Sequence, residues 1–157
     1  LISGLKDRGL NMPVLLRFEN ILDSQITYLN EAFRKAIKLS GYQGEYRGVY
    51  PIKVNQQQQV VEEITAFGKN YNHGLEVGSK AELVAVLSIF NNPDACLICN
   101  GYKDEEFVDL ALYAGKMGYN CFIVIESPGE IDTVISRAEK IGFRPNIGLR
   151  MKVASKA

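Results

Sequence analysis

Lys53 is the one cationic side chain in the apolar run Gly48-Val49-Tyr50-Pro51-Ile52-Lys53-Val54, and the polar stretch Asn55-Gln56-Gln57-Gln58-Gln59 follows it directly. A charge near the end of a buried strand costs free energy unless something there uses it. An amine that desolvation strips of its proton attacks carbonyl carbons. The structural alternative is a strand-end lysine that lays its stem along the sheet and keeps its charge in water. Four more polar side chains share this placing. Glu76, Asn100, Glu126 and Arg150 each stand at or near the end of an apolar run, and the five positions are 23, 24, 26 and 24 residues apart. Together they would line one rim of a parallel sheet, which is where α/β proteins build their sites. Five unrelated rim residues would account for any one of them, but strain to explain a Lys, a Glu and an Arg on the same face of successive strands.

Other chemistry is poorly supported. Cys96 and Cys99 have C-x-x-C spacing, but they lie in an apolar strand-like run where positions three apart face opposite ways. With a single histidine and Cys121 as the third cysteine, no Cys/His metal set forms. The cysteines read as small core residues in a reducing compartment, and His73 as a structural residue at a strand start. Eighteen basic residues balance eighteen acidic ones, so electrostatics argue for neither nucleic acid nor an anionic membrane as partner. No apolar run approaches the ~20 residues of a membrane span.

The elements that must hold the rim alternate regularly. Pro13 to Phe18 reads as a lead-in strand, followed from about Asn20 by a helix with Leu22, Ile26, Leu29, Phe33 and Ile37 on one face and Gly41 as its stop. The Lys53 strand precedes a helix that ends at Gly68. Gly74 to Val77 is a short strand, and Ser79-Lys80-Ala81-Glu82 has capping-box spacing at the next helix start. Ala95 to Asn100, a helix to Gly118, Tyr119 to Glu126, a helix to Gly142 and Asn146 to Val153 complete the series. Ser127-Pro128-Gly129-Glu130 repeats the capping box with proline at the first helical position. Alternation of this kind predicts βα units around a parallel sheet, about five of them. Pro51 sits awkwardly in it, since proline cannot donate to a sheet ladder.

Three blocks carry a family resemblance: Tyr50-Pro51-Ile52-Lys53-Val54-Asn55-Gln56, Gly74-Leu75-Glu76-Val77-Gly78-Ser79-Lys80-Ala81-Glu82-Leu83 and Cys99-Asn100-Gly101-Tyr102-Lys103-Asp104, with Arg144 to Arg150 continuing the match. In this order and spacing they resemble the biosynthetic arginine decarboxylases, pyridoxal-phosphate enzymes with an alanine-racemase-like barrel. The resemblance implies an α/β fold, a partial (β/α)8 barrel, with residues 1–45 leading in and 46–157 forming the N-terminal part of the cofactor-binding barrel. It implies that Lys53 joins pyridoxal phosphate through a Schiff base, that Glu76 lies beside the cofactor and that lysine, and that Arg150 faces the cofactor. Asn100 and Glu126 belong to the rim without an assigned contact. It further implies L-arginine as substrate, agmatine and carbon dioxide as products, polyamine biosynthesis as the setting, a homo-oligomeric cytoplasmic enzyme, and magnesium by resemblance alone. Five strands are three short of the barrel, and Leu1 is not an initiator methionine, so the chain reads as a segment, inactive by itself. Decarboxylases of ornithine, lysine or diaminopimelate, a non-catalytic pyridoxal-phosphate carrier, and an α/β domain with no cofactor are the alternatives.

Overall fold

The computed structural model describes residues 2–151, so Lys152 and Val153 of the expected last strand lie outside the described residues. Two helices lead in, α1 (Ile2–Asp7) and α2 (Glu19–Ser40). Then follow β1 (Val49–Pro51), α3 (Gln58–Gly68), β2 (Gly74–Val77), α4 (Lys80–Ile89), β3 (Cys96–Cys99), α5 (Glu105–Lys116), β4 (Asn120–Ile125), α6 (Gly129–Ile141) and β5 (Asn146–Leu149). The five strands form one sheet in the order β1-β2-β3-β4-β5, and every pairing is parallel. Sequential parallel order with a helix at each crossover is the wall of a barrel.

The register sorts the side chains into two faces. Leu75, Val77, Leu97, Cys99, Cys121 and Ile123 are buried on the helix side, in one core with Leu83, Val86, Phe107, Ala111, Leu112 and Val134 of the covering helices. The other set meets at one level across the sheet: Pro51 opposite Glu76, Glu76 opposite Ile98, Ile98 opposite Phe122, Phe122 opposite Asn146. That is the inner face of the wall. Cys96 and Cys99 point to opposite faces, as their spacing predicts, and all three cysteines are free thiols.

His73, expected at a strand start, occupies the residue before β2, where it is buried and receives tight packing from two glycines. A Cβ at Gly48 would overlap its ring, and one at Gly68 would come to 2.8 Å from its Cβ. Burial holds its pKa below the usual 6.5, so the folded chain prefers neutral imidazole. Above 6.5 this costs nothing. As pH falls below it, the unfolded chain takes up the proton first and stability drops until the depressed folded pKa is passed, by up to about 1.4 kcal/mol per pH unit. Denaturation midpoints at pH 7.5 and 5.5 should therefore diverge more in the native chain than in His73→Gln.

Several expectations are corrected. Residues 13–18 form no strand: among the described residues no strand pairs with them, and Leu15 stays 75% exposed. An apolar run alone does not make a strand when its backbone has nothing to pair with. The short helix α1 was not foreseen. Lys53 is not in a strand, because β1 stops at Pro51 and a single 3-10 turn, Ile52–Val54, carries the lysine. Pro51 thereby finds its place, as the last residue of a strand at the edge of the described sheet. Gly68 is the last residue of α3, as expected, and a separate 3-10 turn, Lys69–Tyr71, follows it and closes at Asn72, whose φ is +50°. β3 and β4 end at Cys99 and Ile125, one residue short of the expected Asn100 and Glu126, and β5 ends at Leu149, ahead of the expected Val153.

Candidate active site

Lys53, Glu76, Asn100, Glu126 and Arg150 converge on one cleft of about 550 Å³ at the C-terminal rim of the sheet. Each arrives from a different element. Lys53 stands on the 3-10 turn after β1, Glu76 inside β2, and Asn100, Glu126 and Arg150 one residue beyond β3, β4 and β5. A groove of equal volume opens between α3 and α4, but its carboxylate, Glu82, is already bound to two partners.

Lys53 Nζ lies 3.9 Å from Glu76 Oε1, with the lysine side chain 66% exposed and the glutamate nearly buried. Lys53 is not the desolvated lysine expected, because ending the strand at Pro51 lifts the amine off the sheet and into the open cleft. Glu76 Oε1 also accepts from Asn100 Nδ2 at 2.9 Å, so Asn100 makes a contact the sequence did not assign. Glu76 Oε2 is buried and has no hydrogen-bond partner among the described residues. Buried polar atoms are rarely left so, and this oxygen calls for a donor that the described residues do not supply.

Across the cleft, Arg150 Nη1 donates to both oxygens of Glu126, each at 3.1 Å. Glu126 Oε1 accepts from the Gly101 N–H at 2.7 Å. That N–H is the main reason its pKa lies below the ordinary carboxylate range, with Arg150 adding to it. Glu126 is therefore ionised across the neutral range. Gly101 itself sits at φ +79°, and a Cβ there would come within 2.5 Å of the Gly78 carbonyl oxygen. Gly101→Ala should displace this amide, and the measurable result is a Glu126 carboxyl that titrates closer to the ordinary range, seen by NMR.

The capping boxes show what holds the turns. Ser79 accepts the Glu82 N–H at 3.3 Å, and Glu82 reaches back to the Gly78 N–H at 2.6 Å, one residue further than the usual reciprocal bond. Gln56 Nε2 donates to the other Glu82 oxygen at 2.8 Å, which ties the segment after Lys53 to the start of α4. The second expected box does not form. Pro128 takes the cap position of α6 without a side-chain cap bond, and Glu130 turns inward to accept from the Glu126 N–H at 2.9 Å and from Lys103 Nζ at 3.1 Å. Glu82, Lys103 and Glu130 were missed as supports of the site. The signal was a repeated glutamate four residues after the rim position, Gly78 to Glu82 and Glu126 to Glu130.

Residues 24–157 match the family described as "Pyridoxal-dependent decarboxylase, pyridoxal binding domain". The chain is 47% identical over 156 residues to biosynthetic arginine decarboxylase of Gloeobacter violaceus, covering 99% of this chain and 24% of that protein. It is 48% identical over 151 residues to arginine decarboxylase 1 of rice, Oryza sativa subsp. japonica, covering 94% and 22%. The crystal structure of the biosynthetic arginine decarboxylase SpeA from Campylobacter jejuni superposes with a TM-score of 0.87 at 38% identity, over 94% of this chain and 25% of that one. The chain thus spans about a quarter of the length of the curated relatives it matches. Its sheet is a five-strand arc of the (β/α)8 barrel of these enzymes, and with all five strands and their rim inside the match, the chain belongs to the pyridoxal-dependent decarboxylases.

Proposed function

We propose that this chain is the N-terminal barrel segment of an arginine decarboxylase, which converts L-arginine to agmatine and carbon dioxide in polyamine biosynthesis. The observation that carries the reading is the convergence of Lys53, Glu76 and Arg150 on one rim cleft, in a chain 47% identical to a biosynthetic arginine decarboxylase. In this reading residues 1–45 lead into the barrel and 46–157 form part of its wall. The full enzyme is a cytoplasmic homo-oligomer.

The residues suit pyridoxal phosphate. It would bring an aldehyde for the Lys53 amine and an anionic ring oxygen for the Arg150 guanidinium, with Glu76, which keeps one oxygen unpartnered, beside that amine. When bound, the cofactor supplies an electron sink for the pair left at Cα as carbon dioxide departs. Lys53 attaches it. Its exposed side chain on a short turn gives the amine the freedom to leave and return without disturbing the sheet. Glu76 is fixed through Oε1, which accepts from Asn100 and faces the Lys53 amine at 3.9 Å, and this leaves Oε2 to hold or pass a proton. Arg150, oriented by both oxygens of Glu126, presents positive charge to the opposite side of the cleft. Magnesium stands on the family resemblance alone, since among the described residues no group of three or more His, Cys, Asp or Glu gathers.

The test is borohydride reduction of the full-length polypeptide with pyridoxal phosphate, followed by peptide mapping. The pyridoxyl group is expected on Lys53, in protein that releases carbon dioxide from L-arginine in preference to ornithine, lysine or diaminopimelate. Label on another lysine would overturn the site assignment, and preference for another amino acid would overturn the substrate. The 1–157 segment alone is expected to release no carbon dioxide above background, because its arc leaves the cleft without its other wall.

A further inference from the structure

Lys103 and Glu130 form an ion pair at 3.1 Å whose side chains are only 1% and 6% exposed. Such burial is costly, and replacing a buried pair with well-packed apolar residues is often neutral or stabilising. Stability alone is therefore a weak reason for it. The turn after β2 makes the point. There Glu82 binds the Gly78 N–H at 2.6 Å, the same bond that Glu130 makes to Glu126, with no buried lysine behind it.

What the lysine adds is a link between two rim turns. Lys103 Nζ donates to the Gly101 carbonyl at 2.6 Å, and the Gly101 N–H donates to Glu126 Oε1 at 2.7 Å. The Glu126 N–H donates to Glu130 Oε2 at 2.9 Å, and Glu130 Oε2 accepts from Lys103. The bonds close a ring: Lys103, Gly101, Glu126, Glu130 and back to Lys103. Both ends of Glu126, its backbone amide and its carboxylate, are fixed by members of this ring. The carboxylate in turn holds Arg150 by two contacts. One oxygen, Oε1, is shared between the ring and the guanidinium, so a shift in the turns moves the arginine with it.

From this geometry we infer that Lys103 and Glu130 are positioning residues for Arg150, acting through Glu126 to set where the guanidinium stands in the cofactor cleft. The inference rests on the proposed reading of Arg150 as a cofactor-facing residue. Neither Lys103 nor Glu130 lines the cleft, so their effect on the cofactor passes through that chain of bonds.

The test uses the full-length polypeptide and three variants: Lys103→Met/Glu130→Met, Arg150→Met, and all three substitutions together. Each is measured for thermal midpoint, for cofactor affinity by titrating apoenzyme with pyridoxal phosphate, and for the pH at which the visible band of the bound cofactor changes. The double variant is expected to fold with a modestly lowered thermal midpoint, since both buried charges leave together but the Glu126 N–H and the Gly101 carbonyl lose a partner each, and to lose affinity by about tenfold, the order at which supporting residues act. Its band should shift in the same direction as that of Arg150→Met. Adding Arg150→Met to it should cost little more, because the three act through one contact. A double variant with native affinity and a native band overturns the inference, as does full additivity in the triple variant. An Arg150→Met protein indistinguishable from the native one overturns the reading of Arg150, and this inference with it. If the double variant does not fold, Glu130→Gln, which keeps an acceptor for the Glu126 N–H but removes the charge facing Lys103, is compared with Arg150→Met by the same criteria.

Discussion

Lys53→Ala is expected to abolish borohydride-fixable attachment of pyridoxal phosphate in the full-length polypeptide and to lower agmatine production by about a thousandfold or more. Alanine offers no nucleophile, and no other amine of the described residues is poised to replace it. Lys103 is buried against Glu130, and Lys80 is held by Asp104 and Glu106 at 2.7 Å each. Arg150 shares the cleft but carries a guanidinium, which stays protonated and does not attack an aldehyde. The loss should not come from unfolding. The Lys53 side chain is 66% exposed and its one ion pair is long, so the thermal midpoint should stay close to native, a change within about 0.5 kcal/mol. Retained covalent attachment in a folded Lys53→Ala protein would remove the basis for the proposed site.

The largest structural effect should come from Gly74→Ala. Gly74 opens β2, the strand that carries Glu76, and a Cβ there would overlap the carbonyl oxygen and the peptide of Cys96 on β3. The obstacle is backbone, so no rotamer change relieves it. Tilting the strand is also blocked: Leu75 and Val77 are fully buried on the far face, and the Gly74 N–H donates to the Gly48 carbonyl at 2.8 Å on β1's side. Either β2 parts from β3 or the core opens. We expect a cost of about 3 kcal/mol or more, with a lowered denaturation midpoint and reduced soluble yield. Cofactor attachment should weaken in the folded fraction, as Glu76 moves with its strand. A native denaturation midpoint would mean that the sheet spacing at this point is looser than the contact implies.

Much of this was legible in the residues. The periodicity of Leu22, Ile26, Leu29, Phe33 and Ile37 marks α2 to within a residue of its start, and Gly41 and Gly142 stop α2 and α6 where expected. The spacing of Lys53, Glu76, Asn100, Glu126 and Arg150 anticipates one rim, and the register brings all five to one cleft. Pro13 to Phe18 misled, because strand propensity says nothing about whether a partner edge exists. Glu130 misled for the opposite reason. Its capping-box spacing is a local signal, but a buried lysine from the preceding βα turn competes for the same carboxylate and wins.

Local chemistry determined the order and type of elements, since helix faces, glycine stops and strand alternation depend on neighbours a few residues away. The tertiary structure alone decided that Lys53 stands free on a turn, that one oxygen of Glu76 lacks a partner, and that Lys103 closes a ring with Gly101, Glu126 and Glu130. The reason is distance along the chain. The contacts that join Lys53 to Glu76, Glu76 to Asn100, Gly101 to Glu126 and Lys103 to Glu130 link residues 23 to 27 apart, brought together by the parallel register, which no short stretch of sequence encodes.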